Sequence, residues 1–92
     1  MKVRFTLEAL AHIDGIRIYI EGHSPQAASH VVDRICAEAY RLGEFTQLGH
    51  VGIVPGTYEW IVPRLPFIIV HELNDNTDEV VVLAVFRCRQ AR

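Results

Sequence analysis

Pro66-Phe67-Ile68-Ile69-Val70-His71-Glu72-Leu73-Asn74-Asp75-Asn76-Thr77-Asp78-Glu79-Val80-Val81-Val82-Leu83-Ala84-Val85-Phe86-Arg87 is the stretch whose reading decides the fold. Two apolar runs, 67–70 and 80–86, flank the polar segment 74–78. The second run is mostly valine, whose branched Cβ restricts χ1 and suits a pleated strand better than a helix. Pro66 removes a backbone donor at the start of the first run, where only the first residue of a strand tolerates the loss. The Asn/Asp cluster can adopt the Asx-turn and left-handed conformations that a chain reversal needs. The stretch therefore reads as a β-hairpin at the centre of a sheet.

Upstream of it, Thr57-Tyr58-Glu59-Trp60-Ile61-Val62 alternates, with Tyr58, Trp60 and Val62 on one face, and Pro63-Arg64-Leu65-Pro66 makes a tight connection. Before that strand, Leu48 to Gly56 reads as a glycine-rich loop. A helix is expected from Ser24 as N-cap and Pro25 as first residue to a stop at Gly43, with Ala28, Val31, Ile35, Ala39 and Leu42 forming its apolar stripe. An earlier helix runs from Thr6 as N-cap to about Glu21, with Gly22 terminating it and the stripe Ala9, Ile13, Ile16, Ile20. Gly15 inside it costs about 1 kcal/mol relative to alanine, so either something packs closely there or the helix is locally weak. Val3-Arg4-Phe5 alternates as a short half-buried strand, at an edge of the sheet or beside the C-terminal strand.

These elements predict one α+β domain over residues 1–92. It has an N-terminal strand, an antiparallel helical hairpin, and a three-stranded antiparallel meander, with Ile13, Ile16, Ile20, Val31, Ile35 and Leu42 buried against the sheet.

Half of the residues are hydrophobic and the mean hydropathy is slightly positive, which excludes disorder and leaves apolar surface for a partner. The net charge of −2, with five histidines uncounted, supplies no global field toward nucleic acid or an anionic membrane. Cys36 and Cys88 match no zinc spacing and read as free thiols of a reducing compartment. His12, His23, His30, His50 and His71 form no metal-ligand pair, so neither metal nor cofactor is expected. The chain turns polar at Glu8 before a signal-peptide core can form, and no apolar run approaches membrane-spanning length, so the expected location is the cytoplasm. Glu8, Asp14 and Glu21 fall on the solvated side of the first helix.

As a set, Ser24-Pro25, Pro55-Gly56-Thr57 with Glu59, Pro66-Phe67 and Arg89-Gln90 resemble the ParE/RelE superfamily of bacterial type II toxins, over nearly the whole chain. The sequence departs from the family pattern at His50 and Tyr58, where arginine is common, and at Arg87, where histidine is. The resemblance implies a ParE-like toxin that inhibits DNA gyrase by protein contact, is not an enzyme, and is neutralised by a small antitoxin in a toxin–antitoxin hetero-oligomer. The rival reading is a RelE-like ribosome-dependent ribonuclease; a third is a detoxified relative that only binds its antitoxin.

Cutting RNA needs a base for the 2′-hydroxyl, an acid for the leaving group and cations around the phosphorane. RNA-cutting relatives carry an arginine soon after the proline-aromatic pair, where this chain has Ile68 and Ile69. Only Arg64, His71, Arg87 and Arg89 remain as scattered candidates. On the gyrase-contact reading, Tyr58, Arg64, Arg87, Arg89 and Arg92 are the expected target-binding residues. Val3, Phe5, Ile13, Ile20 and Trp60 are those expected to meet the antitoxin. The face holding Tyr58 and Trp60 reads either as core beneath the helices or as an interface anchor.

Overall fold

A computed structural model describes residues 1–88. Its centre is the expected hairpin: β4 (Phe67–Asn74) and β5 (Glu79–Arg87) pair antiparallel, with Phe67 opposite Arg87 and Asn74 opposite Glu79. The Asn74 Oδ1 accepts hydrogen bonds from the backbone N–H groups of Asn76 and Thr77 at 3.1 and 3.3 Å. Asp78 completes the reversal at φ 55°, a left-handed conformation that Asp tolerates better than most residues. One irregularity interrupts the ladder. Val70 lies opposite Ala84 and His71 opposite Val82, which leaves Leu83 as an extra residue on β5.

β3 (Tyr58–Ile61) pairs antiparallel with β4, and β1 (Lys2–Phe5) runs parallel to β5. The strand order is β1-β5-β4-β3-β2, so the N-terminal strand is both an edge and the neighbour of the C-terminal strand. The three-stranded meander needs one correction. Within the segment read as a loop, His50–Val51 form β2, with His50 opposite Glu59 and Val51 opposite Tyr58. Two residues are too few to show an alternation.

α1 (Leu7–Glu21) and α2 (Pro25–Glu44) start where the caps dictate. Thr6 Oγ1 accepts from the Ala9 N–H and Ser24 Oγ from the Ala27 N–H, each at 3.1 Å, and Pro25 occupies the first turn, where its missing donor costs nothing. Gly22 ends α1 with right-handed backbone, φ −61°, rather than as a left-handed terminator. Gly43 does not stop α2, which continues to Glu44. A Cβ on Gly43 would lie 2.5 Å from the Met1 carbonyl oxygen and 2.8 Å from Val3 Cγ2. Glycine is needed there because the N-terminus crosses the helix, and the Met1 ammonium donates to the Gly43 carbonyl at 2.9 Å.

Both helices pack on one face of the sheet. Ile13, Val31, Ile35 and Leu42 are buried there against Val62, Phe67, Ile69, Val80, Val82 and Val85, while Ile16 and Ile20 are half-buried at the margin. Each fully buried aliphatic side chain contributes about 1.5–3 kcal/mol relative to exposure. Arg17 bridges Asp14 and Glu21 at 2.6 and 3.1 Å on the solvated side of α1. The opposite face of the sheet has no helix over it among the described residues. No described helix is long and apolar enough to cross a membrane.

Candidate functional site

β1 reaches only as far as Val82 along β5, so the rest of β5 has an open edge that α1 must cover. Thr6 donates from its N–H to the Val82 carbonyl at 3.0 Å and from Oγ1 to the Leu83 carbonyl at 3.2 Å. The Val85 N–H then donates to His12 Nδ1 at 3.2 Å. Because Nδ1 accepts, His12 carries its proton on Nε2 when neutral. Its ring also lies 5.2 Å from that of Phe86.

Beyond His12 the helix and strand diverge, and a groove of about 600 Å³ opens between them. Its floor is Phe67, Val85 and Phe86, and its helical wall is Gly15, Ile16, Tyr19 and Ile20. Gly15 has nothing within 4 Å of where a Cβ would stand, so it widens the groove instead of admitting a close neighbour. Arg87, exposed at the end of β5, puts a guanidinium at the rim. Tyr19 and Phe86 are 69% and 51% exposed, which leaves two aromatic rings open to water. An apolar floor with one cation, one phenol and one imidazole suits the side chains of a protein segment.

The sequence-derived residues distribute unevenly around this groove. Ile20 and Arg87, one expected to meet the antitoxin and the other the target, come together in it. Ile13 is buried in the core, where no partner reaches it in the folded chain. Val3 and Phe5 are half-buried against the core, Phe5 lying edge-on to Tyr40 with centroids 6.0 Å apart. Trp60 is half-buried and donates from its indole N–H to Glu38 Oε1 at 2.8 Å. Tyr58 lies beside His71, ring centroids 6.0 Å apart, and Arg64 sits exposed in the β3–β4 turn at φ 67°. Arg89 and Arg92 lie outside the described residues.

Two ionisable residues that the sequence did not place in the core are buried there. Glu38 is buried, its carboxylate held by the Trp60 indole and by Arg41 at 3.3 Å. One neutral donor and one guanidinium offset what would otherwise be a costly burial. His71 has no exposed surface, and its Nε2 has no hydrogen-bond partner. Burial pushes its pKa below the ordinary value; the Ile69 carbonyl, 3.4 Å from Nδ1, opposes the shift, and His50 adds to it. Considered as an acid or base for RNA cleavage, His71 is closed off from any phosphate. Among the described residues, no group of three His, Cys, Asp or Glu side chains could hold a metal ion, and Cys36 and Cys88 are free.

His12, Gly15, Tyr19 and Phe86 had no sequence signal as groove residues. What joins them is where α1 parts from β5, a contact between residues some 70 positions apart, such as Val85 to His12.

The model of the ParE toxin of the type II toxin-antitoxin system, parDE, matches residues 3–92. A Sinorhizobium fredii protein with the name "Putative toxin Y4kP" is 33% identical over 82 residues, covering 89% of this chain and 85% of its own length. A chain of the chromosomal ParDE toxin-antitoxin system from P. aeruginosa superposes with a TM-score of 0.83 at 24% identity, over 97% of each chain. A chain of the intact E. coli RelBE toxin-antitoxin complex gives 0.70 at 14% identity, over 97% of this chain and 98% of that one. These structural likenesses extend over both helices and the sheet.

Proposed function

The chain belongs to the ParE toxin family of type II toxin-antitoxin systems, and from that premise we propose that it poisons DNA gyrase by protein contact in the cytoplasm, as a single domain over residues 1–92 that is neutralised by an antitoxin lying in the α1–β5 groove. The observation that carries this reading is the groove itself: an open apolar channel with Tyr19, Phe86 and Arg87 at its margin. Aromatic and arginine anchors around an apolar floor are what a tightly held protein segment uses. The structures of similar fold come from a ParDE system and from a RelBE toxin-antitoxin complex, which supports an antitoxin as the occupant.

A non-enzymatic action is favoured by the scatter of the chemical groups. Ile68 and Ile69 stand in the central strand where charge would be needed, His71 is sealed in the core, and His12 spends Nδ1 on the Val85 N–H. A phosphodiester cleaver must instead gather an acid, a base and cations about one phosphate. Arg87, with Arg89 and Arg92 beyond it, is proposed to contact the target, and antitoxin in the groove would cover Arg87.

The test is the Arg87→Ala/Arg89→Ala double variant, checked for folding and antitoxin binding, in gyrase supercoiling and ribosome-dependent mRNA cleavage assays. The wild type is expected to inhibit supercoiling and leave mRNA intact, with the double variant impaired. Wild-type cleavage of mRNA that the double variant lacks would replace this reading with a ribonuclease.

A further inference from the structure

A strand edge that loses its neighbour needs an acceptor for each N–H that it still turns outward. In β5 the backbone of Asp78 and Val82 faces β1, whose end supplies the Lys2 and Thr6 N–H groups to their carbonyls, each at 3.0 Å. The extra residue Leu83 shifts this alternation by one, so that Cys88 donates inward to the Pro66 carbonyl at 2.7 Å and Val85 turns its N–H outward. β1 ends at Phe5, and among the described residues no strand brings a carbonyl to the level of Val85. Val85 is 3% exposed, so its N–H is turned away from water, and the acceptor it has is His12 Nδ1 at 3.2 Å.

Of the side chains that can accept at such a place, histidine is the one that gives up its acceptor by gaining a proton between about pH 5 and 8. Both nitrogens of an imidazolium donate, which sets Nδ1–H against the Val85 N–H and breaks the bond joining α1 to β5 at the closed end of the groove. His12 is half-buried, so a proton reaches it in the folded chain, whereas His71 has no exposed surface. The charged groups along the elements around it are Glu8, one turn earlier on α1, Arg87, two residues beyond Val85 on β5, and Arg4 on β1, which is bridged to Glu79 at 3.3 Å. β4 presents only the apolar Phe67 to the groove. At the far end of the helical wall, the His23 ring lies 5.7 Å from that of Tyr19 and is a second titratable group beside the groove.

We propose that His12 is a proton-operated clasp on the α1–β5 groove. Neutral, it fixes the helix against the strand and with it the shape of the groove; protonated, it releases Val85 and the hold on an occupant weakens. That role rests on the reading of the groove as the antitoxin's seat, and it adds a control on that seat. The Phe86 ring lies 5.2 Å from the imidazole and also lines the groove, so loss of the clasp reaches the floor that an occupant touches.

The experiment compares the wild type with His12→Asn, whose Oδ1 can still accept from Val85 and does not titrate, and with His12→Leu, which has no acceptor. His23→Gln is the control for the histidine beside Tyr19. Dissociation of the co-purified toxin–antitoxin complex is followed at pH 7.5 and 5.5, and protection of the Val85 amide, corrected for intrinsic exchange, is measured on the free chain at the same two values. The wild-type complex is expected to dissociate about tenfold or more faster at the lower pH, with Val85 protection falling in parallel. His12→Asn should hold like the wild type at pH 7.5 and lose most of that acceleration, His12→Leu should dissociate fast at both values, and His23→Gln should keep the wild-type pH dependence. Equal acceleration by acid in the wild type and His12→Asn, or wild-type Val85 protection unchanged between the two values, would overturn the proposal. An antitoxin that sits elsewhere overturns the reading of the groove, while Val85 protection in the free chain still decides the clasp.

Discussion

His71 sits without exposed surface between Tyr58 and Val82, with Nε2 unpartnered, so a proton taken up there finds no acceptor among the described protein groups. Its pKa is lowered by burial, which means the folded chain holds the imidazole neutral over a pH range in which the unfolded chain protonates it. Stability from this residue is therefore complete above the ordinary histidine value of about 6.5 and is lost as pH falls from there toward the lower folded value, at up to about 1.4 kcal/mol per pH unit. Urea unfolding at pH 7.5, 6 and 5 should show that decline, and His71→Leu should flatten it; a wild-type midpoint that does not fall between pH 7.5 and 5 would remove His71 from this role. In the sequence, His71 looked like a candidate acid or base, because a lone histidine in a strand carries no mark of which face it takes. The alternation Phe67, Ile69, His71 turned it toward the helices.

At the scale of elements, Gly15 reads in the sequence as a glycine inside a helix and Gly43 as a helix stop, yet both lie within helices, and their surroundings are opposite. Around Gly15 there is open space, and the right-handed helix there needs no glycine. Gly15→Ala should raise stability by up to about 1 kcal/mol, since alanine loses less backbone entropy on folding. It should also narrow the antitoxin groove, so a stabilised variant that binds its antitoxin more weakly is the expected pair of results. Gly43→Ala would press a methyl group into the Met1 carbonyl and Val3, and should lower the melting temperature while loosening β1. Faster amide exchange in Val3 to Phe5 than in β4 is the signature; unchanged exchange there would show that the N-terminus can shift at no cost. The starts of both helices were readable because Thr6 and Ser24 act on N–H groups three residues away. The end of α2 was not, because the partner of Gly43 is 42 positions distant.

For the whole molecule, apolar surface is left open on both sides: Tyr19 and Phe86 about the groove, and Ile53, Val54 and Ile61 on the open sheet face. The isolated chain is therefore expected to self-associate and to bind a hydrophobic dye, and its antitoxin complex to bind less; a dye-silent monomer would contradict both surfaces. A net charge of −2 adds little repulsion against such association. By itself the sequence determined the fold class and every element except β2, because valine runs, Asx turns and caps act within a few residues of where they are written. It also carried the family, through pieces such as Pro55-Gly56-Thr57 and Pro66-Phe67. The tertiary structure alone decided which side chains share a surface: that Ile20 and Arg87 line one groove, that Ile13 is beyond a partner's reach, and that Glu59 lies under the loop carrying Ile53. The physical reason is that a groove exists where two elements part and a cleft where a loop returns over a sheet, and both depend on contacts between residues far apart in the chain, which no local pattern encodes.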